Sequence, residues 1–268
     1  MQFFLIKALA LSTSFAPLAF ACIYKRDAGA NEWSYTGDTG PVVWHRLNDT
    51  NSACATGKDQ SPINVNTDVA RGNITLEYPD IPGEFLVENN GHTIELTPTD
   101  PSKFIAKIGG LDYELLQFHF HTPSEHRLNN EHFPLEVHFV HQHVESKALA
   151  VMGVFFDVSP WFSDTFLFGI DLDEVTEVSK ETDENYTHIF MSSIIKLNKK
   201  SSIYTYAGSL TTPPCSEAVT WFVAETPLDV SVRQYNQFKR IMKFNSRFTQ
   251  NDLHKPVTDN LIADACQI

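Results

Sequence analysis

Imidazoles recur in Gln117-Phe118-His119-Phe120-His121 and again in Leu135-Glu136-Val137-His138-Phe139. Both stretches alternate along the chain with the period of a β-strand. Residues two apart on a strand project to one face, so His119 and His121 point together. His138 stands on a second such run, near enough in sequence to return as an antiparallel neighbour. Three neutral imidazoles converging on one point suit Zn²⁺ with a fourth position left open. Gln117 shares the face of His119 and His121, and Glu136 shares that of His138. Metal-bound histidines hand their second N–H to an oxygen, which fixes tautomer and ring angle, and Gln117 and Glu136 are placed for that task. Phe118 and Phe120 fall on the opposite face and are expected in a core. An isolated H-x-H is more often a chance pair than a metal site. The third histidine and the two oxygen-bearing neighbours turn the balance here.

The elements that must position these groups follow from the same periodicity. Alternating runs span Phe85–Leu96, Lys103–Ile108, Tyr113–His121, Leu135–His143, Ala148–Phe156 and Ala218–Ala224, with Pro, Gly and Asn clusters between them. They predict a mainly β (α+β) domain. Ser231 is placed to cap a helix running to Met242, with Val232, Tyr235, Phe238 and Met242 on one face. The stretch from Trp161 to Lys200 is the least patterned and the most acidic, and it reads as a surface excursion with one helix. There is no internal repeat and no low-complexity linker.

Further motifs follow in order: Trp33, Tyr35, Gly37, Gly40-Pro41 and Trp44, then Gln60-Ser61-Pro62-Ile63, then Asn90-Gly91-His92. After them come Ser124-Glu125-His126 and Tyr206-Ala207-Gly208-Ser209-Leu210-Thr211-Thr212-Pro213-Pro214-Cys215. In these the chain resembles the α-class carbonic anhydrases from about Asn31 to Gln250. The resemblance implies one domain over residues 22–268, built on a twisted, mostly antiparallel ten-stranded sheet with peripheral helices. It also implies Zn²⁺ held by His119, His121 and His138, and reversible hydration of CO₂ to bicarbonate and a proton through a zinc hydroxide.

The same resemblance gives roles to other residues. Thr211 would accept a hydrogen bond from the hydroxide and Glu125 would take the threonine's proton. Val140, Val151, Leu210 and Trp221 would form an apolar wall for CO₂, and Thr212 would contact bicarbonate. His92 would shuttle the proton to solvent, with Tyr35 and Asn90 ordering the water between, and Asn245 would sit behind the metal ligands. Cys54 would pair with Cys215. Glu95 stands where vertebrate members often carry a neutral polar residue, and a carboxylate near His92 would favour the imidazolium and raise the shuttle's working pH. The link from His121 to Glu125 is short, as in bacterial, plant and lower-eukaryote members. In Asn245-Ser246-Arg247, an N-x-R element, Phe248 follows where Pro is usual.

Bulk properties narrow the rest. The 268 residues include 42% hydrophobic residues and 20 Phe, which supports a large core. Lys and Arg number 20 against 33 Asp and Glu, a net charge of −13 without a basic cluster, so nucleic acid is not an expected partner. CO₂ and bicarbonate are the expected small-molecule partners. Residues 1–21 read as a secretory signal peptide, with Lys7 before an apolar stretch and Ala19-Phe20-Ala21 as a cleavage site. No later segment is apolar enough to span a bilayer. Secretion permits disulfides, and parity alone would pair Cys22 with Cys266. Lys25-Arg26 is either a second processing site or a solvated tail. Asn48-Asp49-Thr50, Asn73-Ile74-Thr75 and Asn185-Tyr186-Thr187 are N-glycosylation sequons. Two other readings share this fold: a binding or storage protein with weak or lost catalysis, and a zinc esterase. Retention of three histidines with Glu125 and Thr211 favours the hydratase.

Overall fold

The two histidine-bearing runs become adjacent strands at the middle of a large sheet. The structure, a computed structural model, describes residues 33–250 except 163, 171, 174 and 180–184. The expected leader 1–21, Cys22, Lys25-Arg26 and Cys266 lie outside the described residues.

The first strands are β1 (Asn64–Val65), β2 (Thr75–Glu77), β3 (Gly83–Asn89), β4 (Ile94–Pro98) and β5 (Ile105–Ile108). The central ones are β6 (Leu111–His121), β7 (Arg127–Leu128), β8 (Leu135–His143) and β9 (Leu149–Ser159). The last are β10 (Tyr186–Ile189), β11 (Ile203–Ser209), β12 (Glu217–Ala224) and β13 (Leu228–Ser231). The helices are α1 (Trp44–Leu47), α2 (Ala53–Thr56), α3 (Ser192–Lys200) and α4 (Val232–Met242). The main path runs β10-β3-β4-β6-β8-β9-β12-β11 in an 11-stranded sheet. It is antiparallel except where β12 and β13 lie parallel to β9. The resemblance implied ten strands; β2 and β13 are short pieces that pair along one side only.

Central strands β8 and β9 are buried on both faces, so their alternation separates two chemistries rather than core from solvent. Phe118, Phe120, Val137, Phe139, Met152 and Val154 fill the main core. Burying each of these phenylalanines contributes roughly 2 kcal/mol. The opposite face carries the histidines and a second apolar cluster with Val140, Val151 and Trp221.

Three expectations change. The run Phe85–Leu96 is two strands, because Asn90-Gly91 makes a turn: Asn90 Oδ1 accepts from the backbone N–H of His92 (3.0 Å) and of Thr93 (2.9 Å). Gly91 takes φ +88°, which a side chain would oppose. His92 therefore sits on a turn rather than in a strand. The stretch Trp161–Lys200 is not a surface excursion, since Phe166, Leu167, Leu172, Ile189, Met191 and Ile194 join the main core. Strand β10 within it pairs with β3. On α4, Ser231 Oγ accepts from Gln234 N (3.2 Å) as expected of a cap, and Phe238 and Met242 are buried, but Val232 is 46% exposed. Among the described residues no helix is long and apolar enough to cross a membrane.

Candidate metal centre

The register of β6 on β8 sets His119 directly opposite His138. One ligand nitrogen from each of His119, His121 and His138 lies within 4.8 Å of the other two, and all three residues are buried. Each ring is held from behind. His119 Nδ1 donates to Gln117 Oε1 (2.9 Å), and His138 Nε2 donates to Glu136 Oε1 (2.9 Å). His121 Nδ1 donates to the backbone oxygen of Asn245 (2.7 Å). These partners can only accept, so each opposing ring nitrogen keeps its lone pair. Burial, then the neighbouring rings His121 and His138, push the His119 imidazole well below its ordinary value. Burial lowers His138 to about 4. The His119 and His138 rings are therefore neutral at physiological pH, as metal ligation requires.

A divalent cation fits this donor set. His121 Nε2 is buried without a hydrogen-bond partner among the described residues. It faces Glu125 Oε2 at 3.5 Å, and His138 Nδ1 faces the same oxygen at 3.9 Å. Three imidazole nitrogens with second N–H groups tied to oxygens match zinc chemistry.

Glu125 is fully buried. Its Oε1 accepts from Arg247 N (2.8 Å), and the nearby Thr211 side chain favours the charged form of its carboxyl. Burial pushes this carboxyl up, while His121, the Arg247 N–H and Thr211 oppose the rise. A bound cation would favour the ionised form further. Glu136 does more than hold His138. Its Oε2 accepts from the N–H groups of Glu125 (2.8 Å) and His126 (2.9 Å), and its Oε1 also accepts from His126 Nδ1 (2.7 Å). Burial raises its carboxyl, but His126 and His138 outweigh that and hold it well below the carboxylate range.

The apolar residues gather beside the rings. Val140 pairs with Val151 across β8 and β9, and Val151 pairs with Trp221 across β9 and β12. Leu210 joins the same buried cluster. The Trp221 ring lies 4.8 Å from the His138 ring. Thr211 is buried, and Thr212 beside it is half-buried with its carbonyl accepting from Cys215 N (2.8 Å). Cys54 and Cys215 form a disulfide.

His92 stacks on Trp33 with ring centroids 3.8 Å apart. Both line a cavity of about 580 Å³ with Tyr35, Met242 and Asn245. Asn90 Nδ2 lies 3.4 Å from Glu95 Oε2. Glu95 as a residue is only half-buried, yet its carboxyl is enclosed. Burial, then Glu88, push it up to about 8, so it is mostly neutral at pH 7. This corrects the expectation that it would hold the His92 imidazolium with a full negative charge.

Some contributors escape a reading of spacing. Asn245 acts with its whole amide: its Oδ1 accepts from Thr122 N (2.7 Å) and its Nδ2 donates to the backbone oxygens of His92 (3.0 Å) and Phe120 (2.8 Å). His126 extends the chain to Tyr206 Oη (2.7 Å), which donates to Ser61 Oγ (2.9 Å). Buried Arg247 donates to the backbone oxygens of Ser61 (2.7 Å) and Cys54 (3.2 Å). Polar residues inside the quoted motifs were the available signal, but partners more than a hundred positions apart show only in the fold.

A sheet carrying three inward imidazoles beside an apolar wall defines a class, and comparison with known proteins places the chain in it. A family model described as eukaryotic-type carbonic anhydrase matches residues 39–261, and the chain belongs to that family. It is similar to a carbonic anhydrase of Nostoc sp., 32% identical over 266 residues, covering 97% of this chain and 96% of that one. A carbonic anhydrase of Klebsiella pneumoniae is 33% identical over 213 residues, 80% of this chain and 84% of its own. Among solved structures, a fungal alpha carbonic anhydrase from Aspergillus oryzae superposes with a TM-score of 0.78 at 36% identity, covering 88% of this chain and 99% of that one. The chain is thus an enzyme of the carbonic anhydrase family, whose substrates are the small molecules CO₂ and bicarbonate.

Proposed function

We propose that His119 and His121 through Nε2, and His138 through Nδ1, hold Zn²⁺, and that the chain hydrates CO₂ reversibly. The observation that carries this is the cluster of three nitrogens within 4.8 Å, each ring tethered from behind. Zinc held there would supply a charge that lowers the pKa of water towards neutrality, an effect for which carbonic anhydrases are themselves the type example.

The chain's own residues do the rest. Thr211 accepts a hydrogen bond from the reacting oxygen and donates its own O–H in a hydrogen bond to Glu125, so a lone pair of the reacting oxygen is left facing the substrate. Glu125 is kept in place for this by the Arg247 N–H. CO₂ is apolar and has almost no hydrogen-bonding handle, so Val140, Val151, Leu210 and Trp221 receive it by contact while excluding water. Thr212 binds the bicarbonate formed. His92, which lines the adjoining cavity, moves the released proton to solvent, a task imidazole chemistry suits. Asn90 fixes the turn that bears it, and Tyr35 helps order water in the adjoining cavity.

The chain is further proposed to be a secreted domain, 22–268, following a signal peptide at 1–21. The Cys54–Cys215 bond is compatible with an oxidising compartment. Asn48 and Asn73 are exposed, which favours them as glycan acceptors over half-buried Asn185.

Metal content and stopped-flow CO₂ hydration of the purified protein test the reading together. One zinc per chain and activity abolished by a chelator are expected, as is loss of both in His119→Ala. A folded, zinc-free protein, or a zinc-loaded one without hydration, would overturn it in favour of a binding or storage role.

A further inference from the structure

Gly153 lies in the interior of β9, opposite His138 on β8. Glycine weakens a strand interior, and where it persists it often marks a close approach. Its backbone gives no other reason for it, since Gly153 is not among the glycines with positive φ. A Cβ built at this position would sit 2.9 Å from Glu136 Oε1, against 3.8 Å to both His138 Cδ2 and Val223 Cγ2. Only the first of these is closer than a carbon tolerates.

That oxygen is the one shared by His138 Nε2 and His126 Nδ1. A carboxylate at the end of a free side chain would simply move aside. Glu136 is not free: Oε2 is fixed by two backbone N–H groups, those of Glu125 and His126. The His126 ring cannot easily follow a shift, because Tyr206 Oη holds its far nitrogen and the Trp221 ring packs 4.7 Å away. Displacing Oε1 therefore strains one of its two imidazole bonds.

We propose that Gly153 is a positioning residue for the metal centre: the missing side chain is the space in which the Glu136 carboxylate lies to orient the His138 ring. This rests on the reading of His138 as a zinc ligand. Oxygen partners of metal-bound histidines commonly contribute 10–100-fold to affinity or activity. A single methyl group at position 153 then acts on zinc through Glu136, while it meets the ligand His138 only at an ordinary van der Waals distance.

The test is Gly153→Ala, alone and combined with Glu136→Asp, whose shorter side chain withdraws the carboxylate. Zinc affinity and release rate are measured by chelator competition, and the downfield imidazole N–H resonances of His126 and His138 are followed by NMR in the metal-free protein. Gly153→Ala is expected to weaken zinc binding about 10–100-fold and to move those resonances. In the Glu136→Asp background the alanine should cost little more, so the two effects do not multiply. Wild-type affinity in folded Gly153→Ala, unmoved resonances, or full multiplication with Glu136→Asp would each overturn the proposal. Should Gly153→Ala fail to fold, the double variant must regain folding; if it does not, the collision is not with Glu136 and the proposal fails. A wild-type protein that binds no zinc sinks the metal reading instead, and the resonances still decide the steric claim.

Discussion

Thr211 and Glu95 show how differently two polar residues near one metal centre can be read. On the proposed function, Thr211 contributes a single hydroxyl between the reacting position and Glu125. Thr211→Ala is expected to lower CO₂ hydration on the order of 10²-fold, a magnitude usual for one oriented polar group, with zinc content unchanged. Stopped-flow rates alongside metal analysis check both halves. Glu95 has its carboxyl pushed up to about 8 by burial and Glu88. In the metal-free protein the folded chain thus keeps a proton that the unfolded chain releases from about pH 4.5 upward. Stability should fall as pH rises from there towards 8, and Glu95→Gln should flatten that slope; urea unfolding across the window reads it out. The histidines were legible because period-2 geometry is local: His119 and His121 declare a shared face by spacing alone. The neutral state of Glu95 was not legible, since it depends on enclosure and on Glu88 across the strand pair.

Among the elements, α4 links a local signal to the site. Its cap is Ser231, and its end delivers Asn245, whose carbonyl anchors His121. Ser231→Ala should destabilise the protein by about 1 kcal/mol in denaturant unfolding while leaving zinc affinity unaltered, because several tertiary bonds hold Asn245 independently. The strands β6, β8, β9 and β12 were legible from alternation, and the cap of α4 from a hydroxyl before an apolar face. β10 was not: it is four residues long, presents exposed residues at alternate positions, and sits in an acidic stretch. Its place comes from pairing with β3, a contact about a hundred residues back that no local pattern announces. The turn at Asn90-Gly91 was written in the sequence as a breaker, but continuous alternation on both sides masked it.

At the scale of the whole molecule, the disulfide spans 161 positions and joins α2 to the loop carrying Thr211 and Thr212. Closing a loop of that length gives on the order of 5 kcal/mol in the chain-entropy account, with measured values for native bonds of roughly 2–5 kcal/mol. Replacing Cys54 and Cys215 together by serine should lower unfolding free energy within that range. Turnover should drop more than metal affinity, because the histidines lie on the sheet and Thr211 lies on the tethered loop.

That bond gives the catalyst a memory of where it was made. A copy assembled under reducing conditions would gather its ion on a finished sheet while its threonine arm stayed slack. Later exposure to oxidant would tighten the arm and raise the rate with no change in composition other than two lost hydrogens.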